Sequence, residues 1–249
     1  MAGHSKWAQI KRKKAVTDAR RGRLWSKLLK EISVAARLSG GDPAANPRLR
    51  AAIQDAKGAN VPNDNIDRAI KRGTGELQGA SYEEVTYEGY GPGGVAILVQ
   101  ALTDNRNRTV SELRHFFSKH GGNLGENGCV AWMFEKRGYF AIDKQALGEE
   151  QFMELALELG AADFSIEEGT FEIYTLPEDY EAVRNELERR ELPLVEAELA
   201  MLPQSQVKLD EKTAPRVLRL MEALEEHDDV QHVWANFDVD SEVLAAHSG

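Results

Sequence analysis

The stretch YFAIDKQALGEEQFMELALELGAADFSIEEGTFEIYTLPEDYEAVRNELERRELPLVEAELA, residues 139–200, decides the fold of the second half of the chain. Short runs rich in β-branched and aromatic residues predict strands, and two longer segments with apolar residues three and four apart predict helices. The order reads β-α-β-β-α-β, a unit in which two helices cover one face of a four-stranded sheet. The stretch therefore predicts a complete ferredoxin-like α+β domain.

The segments on either side of this stretch each predict a β-α-β unit, so they look like halves of a second domain of the same kind. We expect one α+β domain, residues 81–136 plus 206–249, to be interrupted by an inserted α+β domain, residues 137–205. A strand is expected at residues 130–134. The helix of the first half is expected to open at Asn107 or Thr109.

Residues 1–80 predict a small helical domain. Apolar residues recur at helical spacing over residues 17–38, and Asn46 with Pro47 has the pattern of a cap and first position for a second helix. A third helix is expected from Pro62 or Asn63. The fold class is thus α+β with three domains: an N-terminal helical domain followed by two ferredoxin-like domains, one inserted in the other.

Charge is unevenly distributed along the chain. The formal net charge is −10, but residues 1–80 carry 17 Lys and Arg against 7 Asp and Glu, whereas residues 81–249 have a net charge of −20. Such asymmetry is typical of a nucleic-acid-binding or membrane-facing module attached to an acidic body. The longest apolar run, residues 93–102, is far shorter than the roughly 20 residues that span a bilayer, so no transmembrane helix is expected, and no membrane partner is predicted.

Basic residues crowd the first 30 positions, with a tryptophan among them. Cations placed against phosphates release condensed counterions, and an interleaved tryptophan can stack on an exposed base. The alternative is a solvated, solubilising face. The candidate nucleic-acid-binding residues are Lys6, Trp7, Lys11, Arg12, Lys13, Lys14, Arg20, Arg21, Arg23 and Lys27.

A secondary phosphate-binding site is expected at Arg106, Asn107 and Arg108, between a strand and a helix N-terminus whose backbone N–H groups are free. The competing interpretation is simple helix capping with the arginines in solvent. In the third helix, a few polar and basic side chains offer only weak support for sequence-specific reading of bases in a helix-turn-helix.

Catalysis has little support. The six histidines show no metal-ligand spacing and no pairing with a serine or with Cys129, so no catalytic residue, metal or cofactor is expected. Gly89, Gly91 and Gly94 match a dinucleotide-binding pattern by letter, but a strand rather than a helix follows them. A metal-dependent phosphoesterase is kept as a remote alternative. A single cysteine and the absence of a recognisable leader favour the cytoplasm.

Several motifs in order resemble the YebC family: AGHSKW at residues 2–7, VP at 61–62, YGPGG at 90–94, TDNRNRT at 103–109 and HGG at 120–122. The resemblance runs from residue 2 to about residue 140 and implies a helical domain followed by two α+β domains. The one departure noted is Cys129, at a place where small residues such as serine are common in relatives.

The resemblance implies a non-enzymatic regulator of gene expression. Bacterial relatives are described as DNA-binding transcriptional regulators, which gives the leading expectation of a cytoplasmic DNA-binding protein. The mitochondrial relative is a translational activator, and some bacterial relatives resemble ribosome-associated factors that assist the synthesis of difficult peptide sequences. Ribosomal RNA and the ribosome are therefore the alternative partners, and no small-molecule substrate is expected.

Overall fold

The computed structural model describes residues 18–167 and 169–240, with side chains from residue 21 onward. The chain forms two compact units: one combines the residues up to Met133 with those from Ser205 onward, and the other spans Phe134–Gln204. Seven α-helices and ten strands lie within these described ranges. None of the helices there is long and apolar enough to cross a membrane.

The first unit begins with three helices, α1 (Asp18–Ser39), α2 (Pro47–Gly58) and α3 (Asn63–Gly73). Both α2 and α3 pack against α1. The predicted cap of α2 is confirmed, because the Asn46 side chain accepts a hydrogen bond from Leu49 N at 3.0 Å and Pro47 occupies the first turn. The core buries the apolar faces of all three helices and includes Ile32, Ala36, Leu49, Ala56, Ile66 and Ala69.

The same unit continues with a four-stranded antiparallel sheet of order β3-β1-β2-β9. Its strands are β1 (Glu83–Tyr90), β2 (Ala96–Thr103), β3 (Asn123–Leu124) and β9 (Val230–Ala235). Helices α4 (Arg106–Lys119) and α7 (Ala214–Glu225) contribute side chains such as Phe117 and Met221 to the core of this sheet. The C-terminal strand β9 therefore joins the strands that precede residue 134, opposite β2.

Residues 130–134 do not form the expected strand of this sheet. The edge beside β1 is taken by the two-residue strand β3, and residues 131–133 form a 3₁₀ turn. The preceding loop is held by the Glu88 carboxylate, which accepts hydrogen bonds from the N–H groups of Gly128, Val130 and Ala131 at 2.7–2.8 Å. Burial would raise the pKa of Glu88, but these three donors lower it.

The expected start of α4 at Asn107 or Thr109 is also wrong. Asn105 caps the helix by accepting from Arg108 N at 3.1 Å, so the helix begins at Arg106. Thr109 is buried and bonds other side chains instead. Strand β9 ends at Ala235, because the side chain of the next residue, Asn236, accepts a hydrogen bond from Ala96 N at 2.7 Å. Beyond it, β10 (Phe237–Asp238) pairs in parallel with β8 (Val207–Lys208).

The second unit has the β-α-β-β-α-β order predicted for it. Its elements are β4 (Phe134–Asp143), α5 (Glu149–Glu158), β5 (Asp163–Ile166), β6 (Thr170–Thr175), α6 (Tyr180–Arg189) and β7 (Leu194–Pro203). The sheet is antiparallel with order β5-β6-β4-β7, the ferredoxin-like arrangement. Phe140, Phe152, Phe171 and Leu187 form its core. The unit starts before residue 137 because Phe134 already pairs with Pro203.

Candidate nucleic-acid interface

Most of the predicted nucleic-acid-binding residues lie outside the described part of the chain. These are Lys6, Trp7, Lys11, Arg12, Lys13 and Lys14, together with the side chain of Arg20. Three of the predicted side chains are described, those of Arg21, Arg23 and Lys27. Arg21 is exposed near the start of α1.

One side of α1 turns its cations toward α7 of the same unit. Lys27 Nζ donates to the carbonyl oxygen of Glu225 at 2.6 Å, and Arg23 lies 3.8 Å from the Glu226 carboxylate. The C-terminal end of a helix carries unpaired carbonyls and a partial negative charge, which favours ammonium and guanidinium groups there. Two residues predicted to face phosphates are therefore engaged within the protein, and Lys27 is the more firmly held.

Asp229, which lies between α7 and β9, binds several of the surrounding side chains, and we call this group the Asp229 cluster. Its buried carboxylate accepts hydrogen bonds from Lys30 Nζ at 2.7 Å, Arg108 Nη2 at 2.6 Å and Thr109 Oγ1 at 2.8 Å. Burial would raise the pKa of Asp229, but these hydrogen bonds outweigh it and hold the pKa at about 2. The carboxylate is thus ionised at neutral pH and joins α1, α4 and the loop before β9.

A second polar contact joins the helices to the sheet. Arg48 of α2 donates to Glu31 of α1 at 2.6 Å and to Glu84 of β1 at 2.7 Å. Glu84 also accepts from Gln100 of β2. Together with the Asp229 cluster, this contact fixes the helical domain on the first sheet.

A cleft of about 780 Å³ opens beside the Asp229 cluster. Its walls carry three cations, Arg23, Lys30 and Arg108, against five carboxylates, those of Asp104, Glu112, Glu226, Asp228 and Asp229. The Lys30 ammonium also lies 5.2 Å from the centre of the Tyr82 ring. Because carboxylates outnumber cations, this cleft does not favour a phosphate.

The residues of the expected secondary phosphate site are close together, but their arginines face carboxylates. Arg108 pairs with Asp104 at 3.0 Å and with Asp229, and Arg106 lies 3.6 Å from Glu83. Asn107 is exposed. A phosphate at this position would compete with three carboxylates, so the capping interpretation fits the geometry better.

The C-terminal part of α2 and the outer face of α3 carry exposed cations of a different kind. Arg68, Lys71 and Arg72 lie opposite the buried residues of α3, and Lys57 lies in the last turn of α2. Within the described residues, none of the four forms an ion pair with a carboxylate. From the sequence, α3 was predicted only as a weak candidate for reading nucleic-acid bases. The sequence also does not distinguish the cations that face solvent from those that α7 binds.

The Asp229 cluster was also not predicted, since Lys30 and Asp229 are 199 positions apart in the sequence. Composition shows that acidic and basic residues are abundant, but it does not show which of them form ion pairs in the folded chain. Among the described residues there is no group of three or more histidine, cysteine, aspartate or glutamate side chains suited to a metal ion.

A helical domain with exposed cations, followed by two α+β domains, defines a three-domain α+β protein. Family models agree with this division: that of the TACO1/YebC protein N-terminal domain matches residues 5–76, and that of the TACO1/YebC second and third domain matches residues 82–237. The chain belongs to the TACO1/YebC family.

Relatives match along nearly the whole chain. A protein of Natranaerobius thermophilus named "Probable transcriptional regulatory protein" is 58% identical over 98% of this chain and 99% of its own length. One of the same name from Syntrophus aciditrophicus is 56% identical over 98% of each. The crystal structure of a conserved hypothetical protein from Aquifex aeolicus is similar with a TM-score of 0.87 and 53% identity, covering 93% of this chain and 96% of that one.

Proposed function

We propose that the chain is a cytoplasmic, non-enzymatic regulator of gene expression that binds DNA through its N-terminal helical domain. The exposed cations of α2 and α3, which have no carboxylate partner within the described residues, carry this proposal. The names of the curated relatives support a role in transcription. The sequence before α1 is also rich in lysine and arginine.

The spacing of the cations on α3 suits a phosphate backbone. Residues three and four apart share one face of a helix, so Arg68, Lys71 and Arg72 present their charges together. Arg68 is held by hydrogen bonds to the Asp64 carbonyl oxygen and to Asn65 Oδ1, at 3.0 and 2.9 Å. Asp64 and Asp67 share this helix, which keeps the face moderately rather than strongly positive. Weak, salt-dependent and largely sequence-independent binding follows from this arrangement.

The same cations would also bind ribosomal RNA, because counterion release does not distinguish the two polyanions. The alternative function, a ribosome-associated translation factor, is therefore an outcome of the same test. Cell extract is sedimented with and without deoxyribonuclease or ribonuclease, and the chain is followed in the pellet. Release by deoxyribonuclease supports the proposal, whereas release by ribonuclease alone contradicts it and supports the RNA-binding alternative.

Charge reversal tests which surface binds. The double variant Lys71→Glu/Arg72→Glu should bind a labelled DNA duplex at least about tenfold more weakly at physiological salt, because two phosphate contacts are lost. The matched control is Arg114→Glu/Arg219→Glu, which changes net charge equally at two exposed arginines of α4 and α7. Equal weakening by the two double variants would show that net charge alone matters and would contradict the assignment to α3.

A further inference from the structure

Exposed apolar side chains are concentrated in the second unit, whereas the proposed nucleic-acid interface belongs to the first. Four of them belong to α5 and β5: Leu157 is 75% exposed, and Met153, Phe164 and Ile166 are each between 37% and 39% exposed. A few scattered apolar residues on a surface are ordinary, but a contiguous group marks a contact site.

Contacts of α5 place these four side chains on one side of the unit. Glu158 of α5 pairs with Arg190, just beyond α6, at 2.9 Å, so that flank of α5 faces α6. Met153 and Leu157 lie on the opposite flank by helical geometry. Phe164 packs edge-on against Phe152 of α5 with ring centres 5.7 Å apart, which puts it on the helix-covered face of the sheet. Ile166 shares that face because side chains two apart in a strand point the same way.

Strand β5 forms one edge of its sheet, beside these four apolar side chains, which we call the apolar strip. It pairs with β6 alone among the described strands. Glu167 N donates to Thr170 O at 2.9 Å. Because the backbone N–H and C=O groups of a strand alternate in direction, every second residue before Glu167 also directs these groups toward β6. The backbone of Phe164 and Ile166 therefore faces outward. In agreement, Phe164 N donates to the side chain of Asp163 at 2.9 Å rather than to β6.

The surroundings of this edge are acidic. Residues 134–204 carry 18 Asp and Glu against 6 Lys and Arg, a net charge of −12. Glu150 lies on the same flank of α5 as Leu157, and Glu154 lies beside it. Asp163 is the first residue of β5, and Glu167 directly follows its last residue. A second copy of this unit would bring like charges together, whereas a cationic segment would be attracted.

We propose that the β5 edge binds an extended, basic segment of a partner protein by strand addition. The partner's main chain pairs with the outward backbone of Phe164 and Ile166, and its alternate apolar side chains pack on Met153 and Leu157. Its lysine and arginine side chains lie against the carboxylates around the strip. The proposal is independent of nucleic-acid binding, which uses the other unit.

The test uses the full-length chain and a fluorescent peptide of alternating lysine and leucine as the probe. Binding is measured by fluorescence anisotropy, and hydrogen exchange of the Phe164 and Ile166 amides is followed with and without peptide. The peptide should bind and slow exchange at both amides. Leu157→Glu should weaken binding by about tenfold or more, since an apolar contact is replaced by a charged group that cannot be buried there. The matched control is Val195→Glu, at an exposed apolar residue of the other edge strand, β7, which should change affinity by less than about twofold.

Two further peptides separate strand addition from simple charge attraction. A peptide of the same composition with its lysines and leucines grouped, and one N-methylated at alternate residues, should both bind at least about tenfold more weakly. Equal binding of either one, unchanged amide exchange, or equal effects of the two variants would overturn the proposal. Duplex DNA binding by Leu157→Glu should equal that of the wild type, so failure here and failure of the proposed function are distinguishable.

Discussion

Replacing Asp229 with asparagine should destabilise the unit that contains the helical domain. Asp229 is 2% exposed, and its carboxylate accepts hydrogen bonds from Lys30, Arg108 and Thr109. Its pKa is lowered from 3.8 to about 2 in the folded chain. Each pKa unit corresponds to about 1.4 kcal/mol, so the charged form contributes about 2–3 kcal/mol to folding at neutral pH. Asp229→Asn should remove about this much from the free energy of unfolding.

The pH dependence gives the sharper result. Because the folded pKa lies below the unfolded one, the stabilisation is fully present above about pH 4 and is lost as pH falls through about 2. The difference in stability between wild type and Asp229→Asn should therefore be constant from pH 7 to about 5 and shrink below about 4. Other carboxylates titrate in both proteins and cancel in the difference.

Tryptophan fluorescence during urea unfolding is a suitable assay. The four tryptophans, Trp7, Trp25, Trp132 and Trp234, all lie outside residues 134–204, so their signal reports on the unit that contains Asp229. The matched control is Asp228→Asn, at an exposed neighbour whose backbone carbonyl, not its side chain, accepts from Lys30. It should cost less than about 0.5 kcal/mol. Equal stability of the two variants, or a difference that persists unchanged at low pH, would refute the reasoning.

Two further substitutions test packing in the same unit. Glu88→Gln should cost about 1–3 kcal/mol and change Trp132 fluorescence, because the amide cannot accept from all three N–H groups that hold the loop. Glu126→Gln, at an exposed residue of the same loop, should have little effect. Equal effects of the two variants would contradict the role of Glu88 in holding the loop. Gly73→Ala should cost about 1–3 kcal/mol in urea unfolding, since its Cβ would clash with the backbone oxygen of Ser33 in α1. The control is Gly58→Ala, which has open space around the new methyl group and should be neutral or stabilising. If Gly73→Ala were also neutral, this would contradict the close approach of α3 to α1.

Periodicity predicted the elements whose burial pattern is local. The bounds of α1 differ by one residue from the predicted 17–38, and the cap at Asn46 was identified from the Asn-Pro pair alone. Leu24 is one of the apolar residues that recur at helical spacing along α1, yet it is 46% exposed. Local patterns thus fix a helix more reliably than they fix the width of its buried face.

Features that depend on distant partners were not predictable. Residues 130–134 have the composition of a strand, but the three N–H groups near them bond Glu88, about forty positions earlier in the chain. In the same way, the sequence does not distinguish Lys27 from its basic neighbours, although in the folded chain its ammonium group donates to the Glu225 carbonyl oxygen of α7. Composition indicates a polyanion partner, whereas only the folded chain separates the cations that remain outward from those bound internally.

The salt dependence of DNA affinity tests the central claim most directly. The affinity of the full-length chain for a labelled duplex is measured at several salt concentrations between about 50 and 200 mM. If about six cations of the helical domain contact phosphates, the slope of log affinity against log salt should be near −5, and Lys71→Glu/Arg72→Glu should make it shallower by about 2. A slope near zero, or the same slope in the wild type and this variant, would contradict phosphate binding by that surface.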